Sequence, residues 1–128
     1  MIDNFELYRY YYVTRYNVKR INRGLMDIND FGHFSNPSLL ILASLAGGEK
    51  HGYAMMEDIR VMTGLRLGAG TLYGAITRLE QSGLIESLPV DERRRPYRLT
   101  AEGATLLHQT LADLEKFAGL GLKRLAAI

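Results

Sequence analysis

The sequence predicts a mainly α-helical chain: a winged helix-turn-helix domain with a two-stranded wing, followed by a long C-terminal dimerisation helix. Three observations carry this. Between Pro37 and Gly83, three short helical patterns follow one another across glycine-containing joints. Leu84 to Leu99 then reads as strand, charged turn and returning strand. From Ala101 a helical period runs on toward the end of the chain. The expected divisions are a basic and aromatic extension over residues 1–36, the winged domain over 37–100, and the dimerisation helix over 101–128.

At 128 residues with 47% hydrophobic content, the chain suits one core. The net charge of +2 neither demands nor excludes nucleic acid, so local placement must decide. Cysteine is absent, which removes disulfide and thiolate chemistry. The run Leu39 to Ala46, broken only by Ser44, is too short to span a bilayer, and no signal-peptide core is legible. A cytoplasmic protein without a membrane partner is expected.

The first 36 residues are the least readable. Phe5, Tyr8, Tyr12 and Tyr16 follow helical spacing, whereas Tyr10 to Thr14 suits a strand equally well. Five basic residues without an acid lie between Arg9 and Arg23. Such a stretch either touches nucleic acid or covers apolar surface with its tyrosines. Asn29 to Ser38 is rich in turn formers.

Asn36 and Pro37 open the first helix, because asparagine caps and proline needs no N–H at the first position. Its residues, SLLILASLA, are apolar nearly all round, which predicts burial; Gly47-Gly48 ends it. The second helix spans about Gly52 to Thr63. Met55, Ile59 and Met62 form its inner stripe, Met56 and Tyr53 its margins, and Glu57, Asp58 and Arg60 its solvated side; Gly64 is the stop.

The third helix, Ala69 to Gly83, organises the rest. At about 100° per residue, Leu72, Ile76 and Leu79 stack on one side beside Ala75. The other side carries Gly70, Gly74, Thr77 and Gln81, edged by Thr71 and Arg78, and by Tyr73 and Glu80. A narrow outer strip of small residues lets a helix lie close to another surface. Its rim supplies the hydroxyl and guanidinium groups that reach phosphates and base edges in a major groove. The wing follows, with Tyr97 and Leu99 on one face, Arg98 on the other, and Arg93, Arg94 and Arg95 at its tip, where they would meet a phosphate backbone or minor groove. Asp91 and Glu92 offset two of those charges locally.

Thr100 caps the last helix. A capping box would place glutamate or glutamine at position 103, where Gly103 stands instead. Leu107, Leu111, Leu114, Ala118 and Leu125 form one apolar stripe, with Leu106, Phe117 and Leu120 beside it. That is more apolar surface than one helix at a domain edge buries alone, so a second copy is the expected cover, with Leu107, Leu111, Leu114, Phe117, Ala118 and Leu125 in the interface. Gly119 and Gly121 weaken the last turns or allow a close crossing.

Residues 37 to about 118 resemble a PadR-type winged-helix transcriptional regulator, on three pieces in order: HGYAMMEDI, GTLYGAITRLEQSGLIE and RPYRLTAEG. The resemblance implies a homodimeric repressor that binds an inverted-repeat operator in double-stranded DNA and, as many of that family do, releases it when a small aromatic or drug-like effector binds. It implies that Gly70 to Gly83 enters the major groove, with Gly70, Thr71, Tyr73 and Arg78 at matching positions and Tyr53 and Tyr73 near the backbone. The chain departs from the pattern at Gly68-Ala69, which weakens the cap of the third helix, in its short wing turn, and in its long N-terminal extension; a start at Met26 would restore the family's usual length. Having no tryptophan, it must stack any aromatic effector on Phe117 or the N-terminal tyrosines.

An enzyme is not expected. Gly68, Gly70 and Gly74 miss the dinucleotide-loop spacing, and His33, His51 and His108 are too scattered for a metal site, so neither cofactor nor metal is implied. His51 is expected at the start of the second helix, exposed or bonded to backbone. The alternative to DNA binding is a winged-helix protein-interaction module. The near-balance over residues 37–100, eight basic against seven acidic, favours it, while the wing arginines oppose it.

Overall fold

The computed structural model describes residues 36–128. The N-terminal extension, with its tyrosines, its basic residues and His33, lies outside the described residues.

Helix α1 (Pro37–Ala46) starts where Asn36 accepts hydrogen bonds through Oδ1 from the N–H groups of Ser38 at 3.0 Å and Leu39 at 3.4 Å. Leu40, Ile41, Leu42, Ser44 and Leu45 are buried, so α1 is the central element, packed by each later helix and by the returning strand of the wing. The short strand β1 (Lys50–His51) leads into α2 (Gly52–Thr63), which ends at Gly64 in the left-handed conformation (φ 76°) with its N–H donating to the Arg60 carbonyl. Helix α3 (Ala69–Gln81) buries Leu72, Ala75, Ile76 and Leu79, the stripe read from the sequence. Gly68 provides no side-chain cap for it.

Strands β2 (Ile85–Ser87) and β3 (Pro96–Leu99) form the wing, with Ile85 opposite Leu99, Glu86 opposite Arg98 and Ser87 opposite Tyr97. The wing is not isolated: β1 pairs along the other edge of β3, giving an antiparallel sheet in the order β1-β3-β2. Two residues of β1 are too few to show any period, which hid this strand from sequence reasoning.

Asp58 departs from its expected solvated place. It accepts the buried Ser44 hydroxyl through Oδ2 at 2.6 Å and lies 3.5 Å from the Lys50 ammonium, which also donates to the Ser44 carbonyl. The clasp joins the end of α1, β1 and α2, and gives Ser44, fully buried, its partner. Asp58→Ala should lower unfolding free energy by about 1–3 kcal/mol, because a buried hydroxyl loses its acceptor; urea denaturation checks this, and an unchanged midpoint contradicts it.

Helix α4 (Ala101–Ala126) runs unbroken through Gly119 and Gly121. Thr100 Oγ1 accepts from the Gly103 N–H at 3.1 Å and donates to the Gly83 carbonyl at 2.6 Å. Only Gly103 and Leu107 of α4 are buried. Leu107, expected to face a partner, instead joins the chain's own core, because the first turns of α4 lie against α1 before the helix leaves the domain. From Leu111 onward every residue is exposed. No helix among the described residues is long and apolar enough to cross a membrane.

Candidate nucleic-acid interface

The core stripe of α3 determines what its other side shows. With Leu72, Ala75, Ile76 and Leu79 buried, Gly70, Thr71, Tyr73, Thr77 and Arg78 are exposed and Gly74 half-buried. Arg78 Nη1 lies 3.5 Å from where a Gly74 Cβ would stand, so the guanidinium lies over Gly74 at ordinary contact distance. Thr77 spends its hydroxyl proton on the Tyr73 carbonyl at 2.9 Å, which leaves its oxygen an acceptor toward solvent.

Tyr73 connects this rim to the next element. A Cβ on Gly52 would lie 2.6 Å from its hydroxyl, so the phenol rests directly against the start of α2. Tyr53 stands one residue on, 68% exposed. His51 caps α2, its Nδ1 accepting from the Ala54 N–H at 3.2 Å. The wing tip reaches the same place, with Arg94 Nη1 3.1 Å from His51 Nε2. Three elements distant in sequence thus meet around His51 and Gly52.

The wing turn is tight. Glu92 (φ 47°) and Arg93 (φ 69°) are both left-handed, and the N–H groups of Asp91 and Arg94 exchange hydrogen bonds with each other's carbonyls at 2.8 Å. This two-residue geometry is usually filled by Asn-Gly. The three tip arginines are not equivalent. Arg94 meets His51, Arg95 donates to the Leu88 carbonyl at 3.4 Å, and Arg93 has no hydrogen-bond partner among the described residues. Lower on the wing, Arg98 pairs with Glu86 at 2.5 Å across the strands. Tyr97 is half-buried beneath this surface; burial pushes its phenol pKa up, Glu80 and Tyr73 add to the rise, and Arg95 opposes it. On α2, Arg60 holds the Glu57 carboxyl below its usual range by donating to it, which occupies that arginine within its own helix.

Of the sequence-predicted residues, the structure leaves Gly70, Thr71, Thr77 and Arg78 exposed on α3, and brings Tyr73 and Arg94 to one meeting point at the start of α2, beside Tyr53. Sequence reasoning missed that His51 belongs to it. A polar residue just before a helix pattern signalled the cap, but nothing local signalled the approach of Arg94, 43 positions away. Among the described residues no group of His, Asp and Glu could hold a metal ion.

Known proteins place the chain. The family model described as the transcriptional regulator PadR-like family matches residues 41–109. An uncharacterised 37.1 kDa protein of transposon TN4556 from Streptomyces fradiae is 39% identical over 66% of this chain, which spans only a quarter (25%) of that relative's length. Transcriptional regulator Rv3488 of Mycobacterium tuberculosis is 39% identical over 62% of this chain and 77% of its own. The crystal structure of a PadR family transcription regulator from Clostridium difficile R20291 superposes with a TM-score of 0.63 at 26% identity, covering 70% of this chain and 97% of that one. With its three-helix core, its wing and its long last helix accounted for, the chain belongs to the PadR-like family of transcriptional regulators.

Proposed function

We propose that this regulator is a homodimeric repressor that binds an inverted-repeat operator, each α3 lying in one major groove and each wing touching the flanking backbone. The observation that supports the reading is the exposed outer strip of α3, from Gly70 to Arg78, with Tyr73 resting at the start of α2 next to His51, which Arg94 of the wing approaches. Arg78 is the chief polar group of that strip, Tyr53 and Tyr73 flank it, and Arg93 is free to meet a phosphate. Two such faces related by a two-fold axis would sit about 34 Å apart, or a multiple of it. On this reading residues 37–100 read DNA and 101–128 join the copies. Release by a small-molecule effector completes the reading.

The test is selection of bound DNA from a random pool, followed by titration at two salt concentrations. An inverted repeat, with affinity that falls steeply as salt rises, is the expected result. Arg78→Ala should weaken binding by about 1–3 kcal/mol and leave thermal stability unchanged, since Arg78 lies off the core stripe. Recovery of no DNA, with a protein captured instead, would favour the interaction-module reading.

A further inference from the structure

We propose that His51 and Arg94 form a two-pronged clamp for a single phosphate group, and, on the DNA-binding reading above, that the group is a backbone phosphodiester of the operator. The inference comes from counting protons. His51 Nδ1 accepts from the Ala54 N–H, and an accepting ring nitrogen carries no hydrogen. The imidazole proton therefore sits on Nε2, which faces Arg94 Nη1 across 3.1 Å. A guanidinium has donors only. Two N–H groups thus confront each other and neither satisfies the other.

Reversing the tautomer would satisfy Arg94 and uncap α2, leaving one of its first N–H groups without a partner. What satisfies both is an acceptor seated beside the pair, receiving one hydrogen bond from each. Several features make that acceptor an anion. Arg94 is cationic, and no carboxylate of the described residues pairs with it or with His51. Lys50, the neighbour of His51, is engaged with Asp58 and the Ser44 carbonyl, so Asp58 is turned toward that ammonium. The adjacent start of α2, a helix of 12 residues, adds its positive end. The Tyr73 hydroxyl of α3 rests on Gly52, the residue that follows His51. A phosphate, with two or more outward oxygens, matches donors arranged this way.

The experiment uses the full chain and DNA recovered from the random pool. His51→Asn keeps a short side-chain oxygen to cap α2 but deletes the Nε2 donor; Arg94→Gln deletes the charge. Each should reduce affinity about tenfold, and the double variant should lose less than the product, since both prongs hold one group. Nitrogen-resolved NMR of the free protein should show the His51 proton on Nε2, and that signal should shift with DNA. If both variants bind like wild type, or the proton sits on Nδ1, the clamp is overturned while the DNA-binding reading stands. If wild type binds no DNA but inorganic phosphate shifts the His51 signal, the clamp stands as a free-phosphate site and the DNA reading falls. If wild type binds no DNA and phosphate leaves the His51 signal unmoved, both fall.

Discussion

Gly103→Ala should lower the unfolding free energy by about 3 kcal/mol, toward the upper range for forcing an extra carbon into a packed interior. The new Cβ would land 1.9 Å from the Leu84 carbonyl oxygen and 2.9 Å from its carbon, both backbone atoms that cannot rotate away. Relief requires the first turn of α4 to lift off the start of the wing. That lift breaks the bond from the Thr100 N–H to the Leu84 carbonyl at 3.2 Å and the bond from the Thr100 hydroxyl to Gly83. It also draws Leu107 outward from the core. The sign of the result is diagnostic. Helix propensity by itself predicts that alanine stabilises a helix relative to glycine by roughly 1 kcal/mol. Equilibrium denaturation in urea decides between them, and a variant as stable as wild type would show that α4 tolerates the shift.

The second large effect concerns what covers the outer part of α4. If α4 joins two copies as proposed, Leu111→Glu should convert dimer to monomer at micromolar concentration, read by sedimentation equilibrium beside the wild type, with the winged domain still folded. Leu111 is 45% exposed within its own chain, Phe117 76% and Leu125 65%, and Leu106, Leu114 and Leu120 are exposed beside them. Apolar surface this continuous is unusual on a monomer. In the proposed dimer, a glutamate here would carry a charge into an apolar seam. Leu107→Glu provides the contrast. Four residues earlier on the same stripe, it should unfold the domain, because Leu107 lies in the chain's own core. A Leu111→Glu protein that remains dimeric would remove this face from the interface.

These two positions also mark how far the sequence could be read. Gly103 was visible as the wrong residue for a capping box, yet its reason was not, because the atom that forbids a side chain belongs to Leu84, far along the chain. Leu107 and Leu111 share one stripe by period, and period cannot tell the turn that lies against α1 from the turn that has passed it. Asp58 falls in the same class. Its place on α2 predicted solvent, and the arrival of Ser44 and Lys50 from other elements changed its role.

What the sequence by itself determined is everything with a local cause. The starts at Asn36, His51 and Thr100, the stop at Gly64, the α3 core stripe and the strand-turn-strand of the wing each follow from residues within a turn or two of one another. The tertiary structure alone decided the third strand at Lys50-His51, the burial of Leu107, the clasp around Ser44 and the meeting of His51 with Arg94. Those depend on which backbone approaches which across long sequence distances, and short-range spacing holds no record of such approaches.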